Sequence, residues 1–263
     1  ILGDPAGWKI FHSAMFFDFR HKILGLILMM FEPLYWRLKL VRPSKVFIFG
    51  AMHCKFFSRF MKAKITDIRP FMPRFVMTYN LQIENLRKDR KGLSFVFGGT
   101  LEGTASKISL KELELNYLPM LESAIVNREF ELKVIGEVDR HTVDYFSNMS
   151  DKIKFTGVVQ SFEAELSKSH IFLLPGNYPV GVRTRVCSAL AAGCVVIADR
   201  AITINMPELS LCGSVFLMND YAEFSEVLNE MLIDFDFEVS ELVSKNFFMR
   251  HYAAEVSAQT LIS

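Results

Sequence analysis

The sequence predicts an α/β protein: a doubly wound, Rossmann-like parallel sheet domain preceded by part of a second α/β domain. Three observations predict it. From Leu93 onward, short apolar runs alternate with segments of helical periodicity across short connections, which is the pattern of βαβ units. Glycines close three of these runs, in "FVFGG", "KFTGVV" and "FLLPG", where strand turns into helix and where open α/β sheets bind their ligands. Residues 1–92 break the alternation, because one long apolar segment precedes a single strand–helix–strand pattern too small to close a core alone.

Within residues 1–92, the stretch 21–42 reads as one long helix bent at its proline, Pro33. Residues 45–70 read as strand, helix, strand, the end of an α/β unit. "LSFVFGG" (93–99) is the first strand of the main sheet. Ser109 and Glu112 form an S-x-x-E capping box ahead of a helix in which Leu110, Leu113, Tyr117, Leu121 and Ala124 share one face. "FELKVIGE" (130–137), "IKFTGVV" (153–159) and "HIFLLPG" (170–176) are the next strands, with short helices near 142–147 and 162–169 between them. An alanine-rich helix fronted by Arg183 and Arg185 leads into the strand 194–198. "SVFLMND" (214–220) is the last strand, and Asp220 with Glu223 caps a helix that buries Tyr221, Phe224, Leu228 and Met231. The chain therefore divides into a partial N-terminal domain (1–75), a linker (76–92), the Rossmann-like domain (93–238) and a helical end (239–263).

Composition narrows the function. The 263 residues are 51 % hydrophobic and 22 % charged, which excludes a disordered or collagen-like chain. The net charge of +1 hides an asymmetry: residues 1–92 carry 17 Lys+Arg against 6 Asp+Glu, and residues 93–263 carry 13 against 23. A basic part of this kind suits an anionic partner or a docked acidic domain. Phe56, Phe57, Phe60 and Met61, interleaved with Lys55, Arg59, Lys62 and Lys64, make an anionic membrane surface one candidate partner. Packing on a sheet is the other reading of that stripe. The four cysteines, Cys54, Cys187, Cys194 and Cys212, lack metal-ligand spacing and read as reduced core residues. The apolar run 23–31 is far short of the ~20 residues that cross a bilayer. Ile1 stands where a Met would begin an intact chain, so the expectation is a chain that begins inside a longer protein.

The chemistry concentrates in "PGNYPVGVRTR" (175–185). Cations at a helix start oppose the positive end of the helix dipole at a cost of roughly 0.3–1 kcal/mol each, so Arg183 and Arg185 imply an anion there, unless they pair with the acidic half. Gly181 lets a ligand approach the backbone, the first helical N–H groups lack partners, and two guanidinium forks fit phosphate. Lys107 and Lys111 are weaker candidates. "GGTLEGTASK" is neither the G-x-G-x-x-G dinucleotide fingerprint nor a P-loop, which argues against a nicotinamide oxidoreductase. None of the six histidines has ligand spacing, and Asp4 and Asp18 are the weakest acceptor-side candidates.

"GVRTRVCSALAAGCVVIAD" resembles the donor-site helix and following strand of the retaining group 1 glycosyltransferases, whose pattern there is "riKilEAmAaGvPVVa". "FVFGGTLEG" and "IKFTGVVQSFEAELSKSHIFLLPG" resemble that family's phosphate turn and its "v.f.G.v....l...l..adv.v.PS" segment, in the same order. The resemblance implies the two-domain GT-B fold, with residues 1–72 as the last third of the acceptor domain. It implies transfer of a sugar from a UDP or GDP sugar to a glycan or lipid-linked acceptor, in the cytoplasm or at the inner membrane face, in polysaccharide or cell-envelope synthesis. It also implies that no metal or nucleic acid takes part. Carried onto this chain, Arg185, assisted by Arg183, would hold the diphosphate, with Gly98, Gly99, Thr100 and Lys107 beneath it. Gly157, Val158 and Val159 would hold the base, and Gly181, Val182, Thr184 and Ser188 would complete the donor site. Two family glutamates are replaced, by Val180 and Ser188, and the family arginine after the first glycine turn is Thr100. These departures support an alternative, a non-catalytic, degenerate transferase-like binding module.

Overall fold

A computed structural model describes residues 19–39, 45–59, 63–70, 92–99, 101, 103–125, 129–176, 178 and 181–262. The N-terminal unit comprises helix α1 (Phe19–Lys39), strand β1 (Lys45–Phe49), helix α2 (Ala51–Ser58) and strand β2 (Lys64–Ile68). β1 and β2 pair in parallel, with Lys45 opposite Lys64 and Phe49 opposite Ile68. Val46, Ile48 and Phe57 form their small core. Phe57 is 1 % exposed, so the middle of the predicted aromatic stripe is sheet-packing surface. Phe60, Met61 and Lys62 lie outside the described residues, as does the predicted linker. Helix α1 continues past Pro33, and Ile23, Leu26, Ile27, Met30 and Phe31 on it are 45–76 % exposed. Among the described residues no helix is long and apolar enough to cross a membrane.

The main sheet follows as β3 (Leu93–Gly98), α3 (Thr104–Glu112), a π turn (Leu113–Tyr117), α4 (Leu118–Ala124), β4 (Phe130–Ile135), α5 (Arg140–Met149), β5 (Ile153–Gly157) and α6 (Phe162–Ser167). Then come β6 (Ile171–Leu174), α7 (Thr184–Ala191), β7 (Val195–Asp199), 3-10 turns at Arg200–Ile204 and Pro207–Leu211, and β8 (Val215–Met218). Helices α8 (Tyr221–Asp234), α9 (Phe237–His251) and α10 (Ala254–Ile262) complete the chain. The six strands are parallel in the order β5-β4-β3-β6-β7-β8. Counted from β3 this is 3-2-1-4-5-6, the doubly wound order whose direction reverses between β3 and β6.

Both faces are covered, which is why the strands read as unbroken apolar runs. In β6, Phe172 and Leu174 pack with α7 and α9, while Ile171 and Leu173 pack with α3, α4 and α8. The predicted cap at Asp220 is present, its carboxylate accepting from the N–H groups of Ala222 at 2.9 Å and Glu223 at 3.1 Å. The predicted box at Ser109 and Glu112 is not a helix start. α3 begins at Thr104 after Gly103, and both residues lie inside it. An S-x-x-E spacing also describes two residues on one helical face. Here Ser109 is buried, and Glu112 accepts hydrogen bonds from Asn116, at 2.7 Å, and from Tyr221.

Candidate functional site

The site sits at the switch point between β3 and β6, where the chain leaves each strand through glycine. Gly98 packs so tightly on β4 that a Cβ would lie 2.7 Å from that of Ile135. Gly99, at φ 123°, turns the chain, and its N–H donates to the Ile135 carbonyl at 2.9 Å. A side chain at Gly99 would strike Arg185, its Cβ 2.6 Å from the guanidinium carbon. The turn is thus shaped around the arginine predicted from sequence. Gly136, at φ 127° after β4, abuts the same turn, since a Cβ there would overlap the Gly99 carbonyl.

Arg185 lies in the first turn of α7, half-buried, and reaches back across the switch point. One terminal nitrogen donates to the Gly98 carbonyl at 2.8 Å and the other to Ser106 Oγ at 3.1 Å. Burial lowers its pKa from the usual arginine value, yet a guanidinium stays charged at neutral pH. Arg183, at the N-cap position of α7, donates to the Tyr178 carbonyl at 2.7 Å and lies 5.4 Å from the centre of the Tyr178 ring. Tyr178 in turn packs on Ile108 of α3, tying the loop after β6 to the helix after β3. Among the described residues the N-cap position of α7 supplies no side-chain cap, and the helix's first turn contains no acidic residue. Arg183, Thr184, Arg185, Val182, Ser106 and Ser109 line one cavity of about 100 Å³. Two guanidiniums, two hydroxyls and the start of a helix meet in this one cavity, groups of the kind that bind anions in proteins.

The other predicted residues distribute unevenly. Lys107 is exposed on the far side of α3, where it lines a separate cavity of about 630 Å³ with Lys111, Glu114, Glu137 and Asp139. Gly157, the last residue of β5, at φ 65°, accepts from the Gly136 N–H at 2.9 Å, and Val158 just beyond it is 77 % exposed, both two strands from β3. Val159 packs against the core beneath. Gly181, at φ 77°, gives the loop its last turn before Val182, Arg183 and α7. Ser188 is 3 % exposed, one turn into α7 on its core side, and presents almost no surface. Thr100 and Val180 lie outside the described residues. The sequence reading did not select Ser106, Ser109 or Tyr178; the available signal was two serines three apart just after a glycine turn. Among the described residues no group of three or more His, Cys, Asp or Glu could hold a metal ion.

Residues 109–234 match the family model of the group 1 glycosyl transferases. No curated protein matches the chain in sequence. The fold is similar to that of a glycosyltransferase from Rickettsia africae, at a TM-score of 0.68 and 12 % identity over 89 % of this chain and 65 % of that one. It is also similar to HepE from Anabaena, solved with UDP, at a TM-score of 0.65 and 11 % identity over 99 % and 70 % of the two chains. Sucrose-phosphate synthase from Thermosynechococcus elongatus aligns at a TM-score of 0.64 and 14 % identity over 89 % and 60 %. The chain thus spans 60–70 % of the length of these three structures. Residues 109–234 thus carry the similarity to the group 1 glycosyl transferases, and the sheet domain has the GT-B fold of these solved structures.

Proposed function

We propose that this chain is the donor-binding part of a glycosyltransferase that moves a sugar from a nucleotide-sugar to a glycan or lipid-linked acceptor. The observation that carries the reading is the convergence of Arg183 and Arg185 with Ser106 and Ser109 on one cavity at the switch point. A diphosphate entering there replaces the neutral oxygens of Gly98 and Ser106 as the partner of Arg185. The N–H groups of the first turn of α7 face the same charge. In the reaction the bond between the anomeric carbon and the phosphate oxygen breaks, and its electron pair goes to the departing diphosphate. Arg185, with Arg183, is already in place to bind the charge that develops, so little reorganisation accompanies bond breaking. Fixed cations supply the neutralisation that a divalent ion gives in other transferases. Retention of anomeric configuration follows from the family resemblance alone.

The bound UDP of the Anabaena structure makes UDP the first nucleotide to try. Calorimetric titration with UDP, UDP sugars and their GDP counterparts is expected to give saturable binding to one of the two series. If neither nucleotide binds, the donor-site reading fails. Ser188, buried where the family has a glutamate, favours the second reading, a binding module without catalysis. Under that reading nucleotide binds but incubation with the matching sugar nucleotide releases no free sugar or product. For the membrane, the support now comes from α1, whose exposed apolar centre is flanked by Arg20, Lys22, Arg37 and Lys39. Such a helix lies on the inner, anionic face of a membrane with its apolar side down. Cosedimentation with phosphatidylglycerol vesicles that is lost in phosphatidylcholine is the expected result, and equal recovery in both supernatants rejects membrane contact.

A further inference from the structure

The N-terminal unit meets the sheet domain through one residue with an unusual number of partners. Arg69 follows β2, and its guanidinium lies 2.8 Å from Asp67 Oδ2 and 3.0 Å from Glu208 Oε2. It also donates to the Asn205 carbonyl at 3.0 Å. Its own carbonyl accepts from Ser257 Oγ of α10 at 3.1 Å. Apart from Asp67, these partners belong to the sheet domain, Asn205 and Glu208, and to the helical end, Ser257. Asp67 is itself fixed, because Oδ1 accepts from the Gly50 N–H at 3.1 Å. Gly50 leads into Ala51, whose N–H donates to the same Asn205 carbonyl at 3.3 Å. The seam is tight enough that a Cβ on Gly50 would stand 2.7 Å from Asn205 Oδ1.

On the sheet side the grip passes to helix α7. Glu208 Oε1 accepts from the Tyr252 hydroxyl at 2.7 Å, and burial raises the Tyr252 pKa so that the phenol stays protonated and donating. Glu208 Oε2 makes no aligned hydrogen bond, so its contact with Arg69 is an ion pair set by charge and distance. Tyr252 and Leu209, the neighbour of Glu208, pack in one buried cluster with Val186, Cys187 and Leu190 of α7. Cys187 is completely buried and stands one helical turn beyond Arg183. Arg69 therefore joins the end of β2 to the turn after β7 through its guanidinium and to α10 through its carbonyl, beside the cluster that packs on the arginine helix.

We propose that Arg69 is a positioning residue, the clasp that fixes the N-terminal unit to the sheet domain beside helix α7 and so supports the helix that carries Arg183 and Arg185. Only its second readout rests on the donor-site reading above. An arginine suits the place because one planar fork meets two carboxylates and a carbonyl at once, which an ammonium cannot do. The clasp acts through Glu208 and the helix, without touching the cavity.

Two variants of the whole chain test it by hydrogen exchange in the absence of ligand. Arg69→Met leaves two facing carboxylates. The triple variant Asp67→Asn, Arg69→Met, Glu208→Gln removes all three charges and keeps the acceptor for Tyr252, so it decides the matter where the single variant destabilises the entire fold. In the triple variant, amides of β2 and α10 are expected to exchange about tenfold faster or more, with the central strand β7 unchanged, as for a local opening. UDP binding is expected to weaken about fivefold or more, the lower end of usual coupling between sites, with Arg69→Lys intermediate. Wild-type protection in β2 and α10 overturns the clasp, and so does unchanged UDP affinity in a variant whose exchange is altered. If UDP binds neither the wild type nor the variants, the donor-site reading fails, and the exchange result still decides the clasp.

Discussion

Arg185→Ala is expected to weaken UDP binding by about 100-fold or more, because a charge-assisted hydrogen bond contributes about 1.5–3 kcal/mol and the guanidinium fork makes two. Its two terminal nitrogens now donate to the Gly98 carbonyl and Ser106 Oγ, and the side chain lines the cavity. The fold should also lose about 1–3 kcal/mol, because Gly98 is buried and its carbonyl loses this donor, whereas Ser106 lines the cavity. Arg185→Lys is expected to fall between wild type and alanine, since a single ammonium does not reproduce the fork. Arg183→Ala should cost roughly tenfold, with one such bond at stake, because part of this side chain is committed to the Tyr178 carbonyl and ring. Calorimetry on the four proteins, with thermal melts as the control, checks the ordering. Equal affinity of wild type and Arg185→Ala would remove the arginine from the site.

Gly136→Ala is expected to have the largest effect on stability of any glycine replacement at the strand ends, about 2–4 kcal/mol in urea denaturation. Two costs combine. The residue has φ 127°, a conformation that side chains avoid at about 1–3 kcal/mol, and a Cβ would overlap the Gly99 carbonyl. Relief of that overlap has to move the Gly99 turn, against which Arg185 packs, so UDP affinity should fall as well. Gly157→Ala is the control, because Gly157 has φ 65° with open space where its Cβ would go. It should cost about 1–2 kcal/mol from backbone strain alone. Equal losses for the two variants would mean that crowding at the paired turns contributes nothing.

The sheet domain was legible in the sequence because a parallel sheet covered on both faces leaves little room for polar residues in its strands. Ile171–Leu174 is buried throughout and reads as a pure apolar run. Arg183 and Arg185 were legible for a different reason, since cations at a helix start need an explanation from chemistry. What escaped depends on long-range packing. Ser106 joins the site only because the turn after β3 folds beside the start of α7, a contact between residues 106 and 185. Lys107 was expected there, but at about 100° per residue it turns away from Ala105 and Ser106 toward the other cavity. The box at Ser109 and Glu112 misled because helix capping and a shared helical face have the same spacing. The aromatic stripe of α2 carried the same ambiguity, and Phe57 resolves toward packing on β1 and β2.

The central claim is that the cavity between α3 and α7 recognises the diphosphate of a nucleotide. Side-by-side titration of the unaltered chain with UDP, UMP and uridine tests it most directly. With two arginines and two hydroxyls on the phosphates, UDP should bind about 1000-fold more tightly than uridine or better, the product of the losses expected for the two arginines, with UMP between them. Uridine binding as tightly as UDP would contradict the account, because recognition would then rest on the base and sugar and not on the arginine helix.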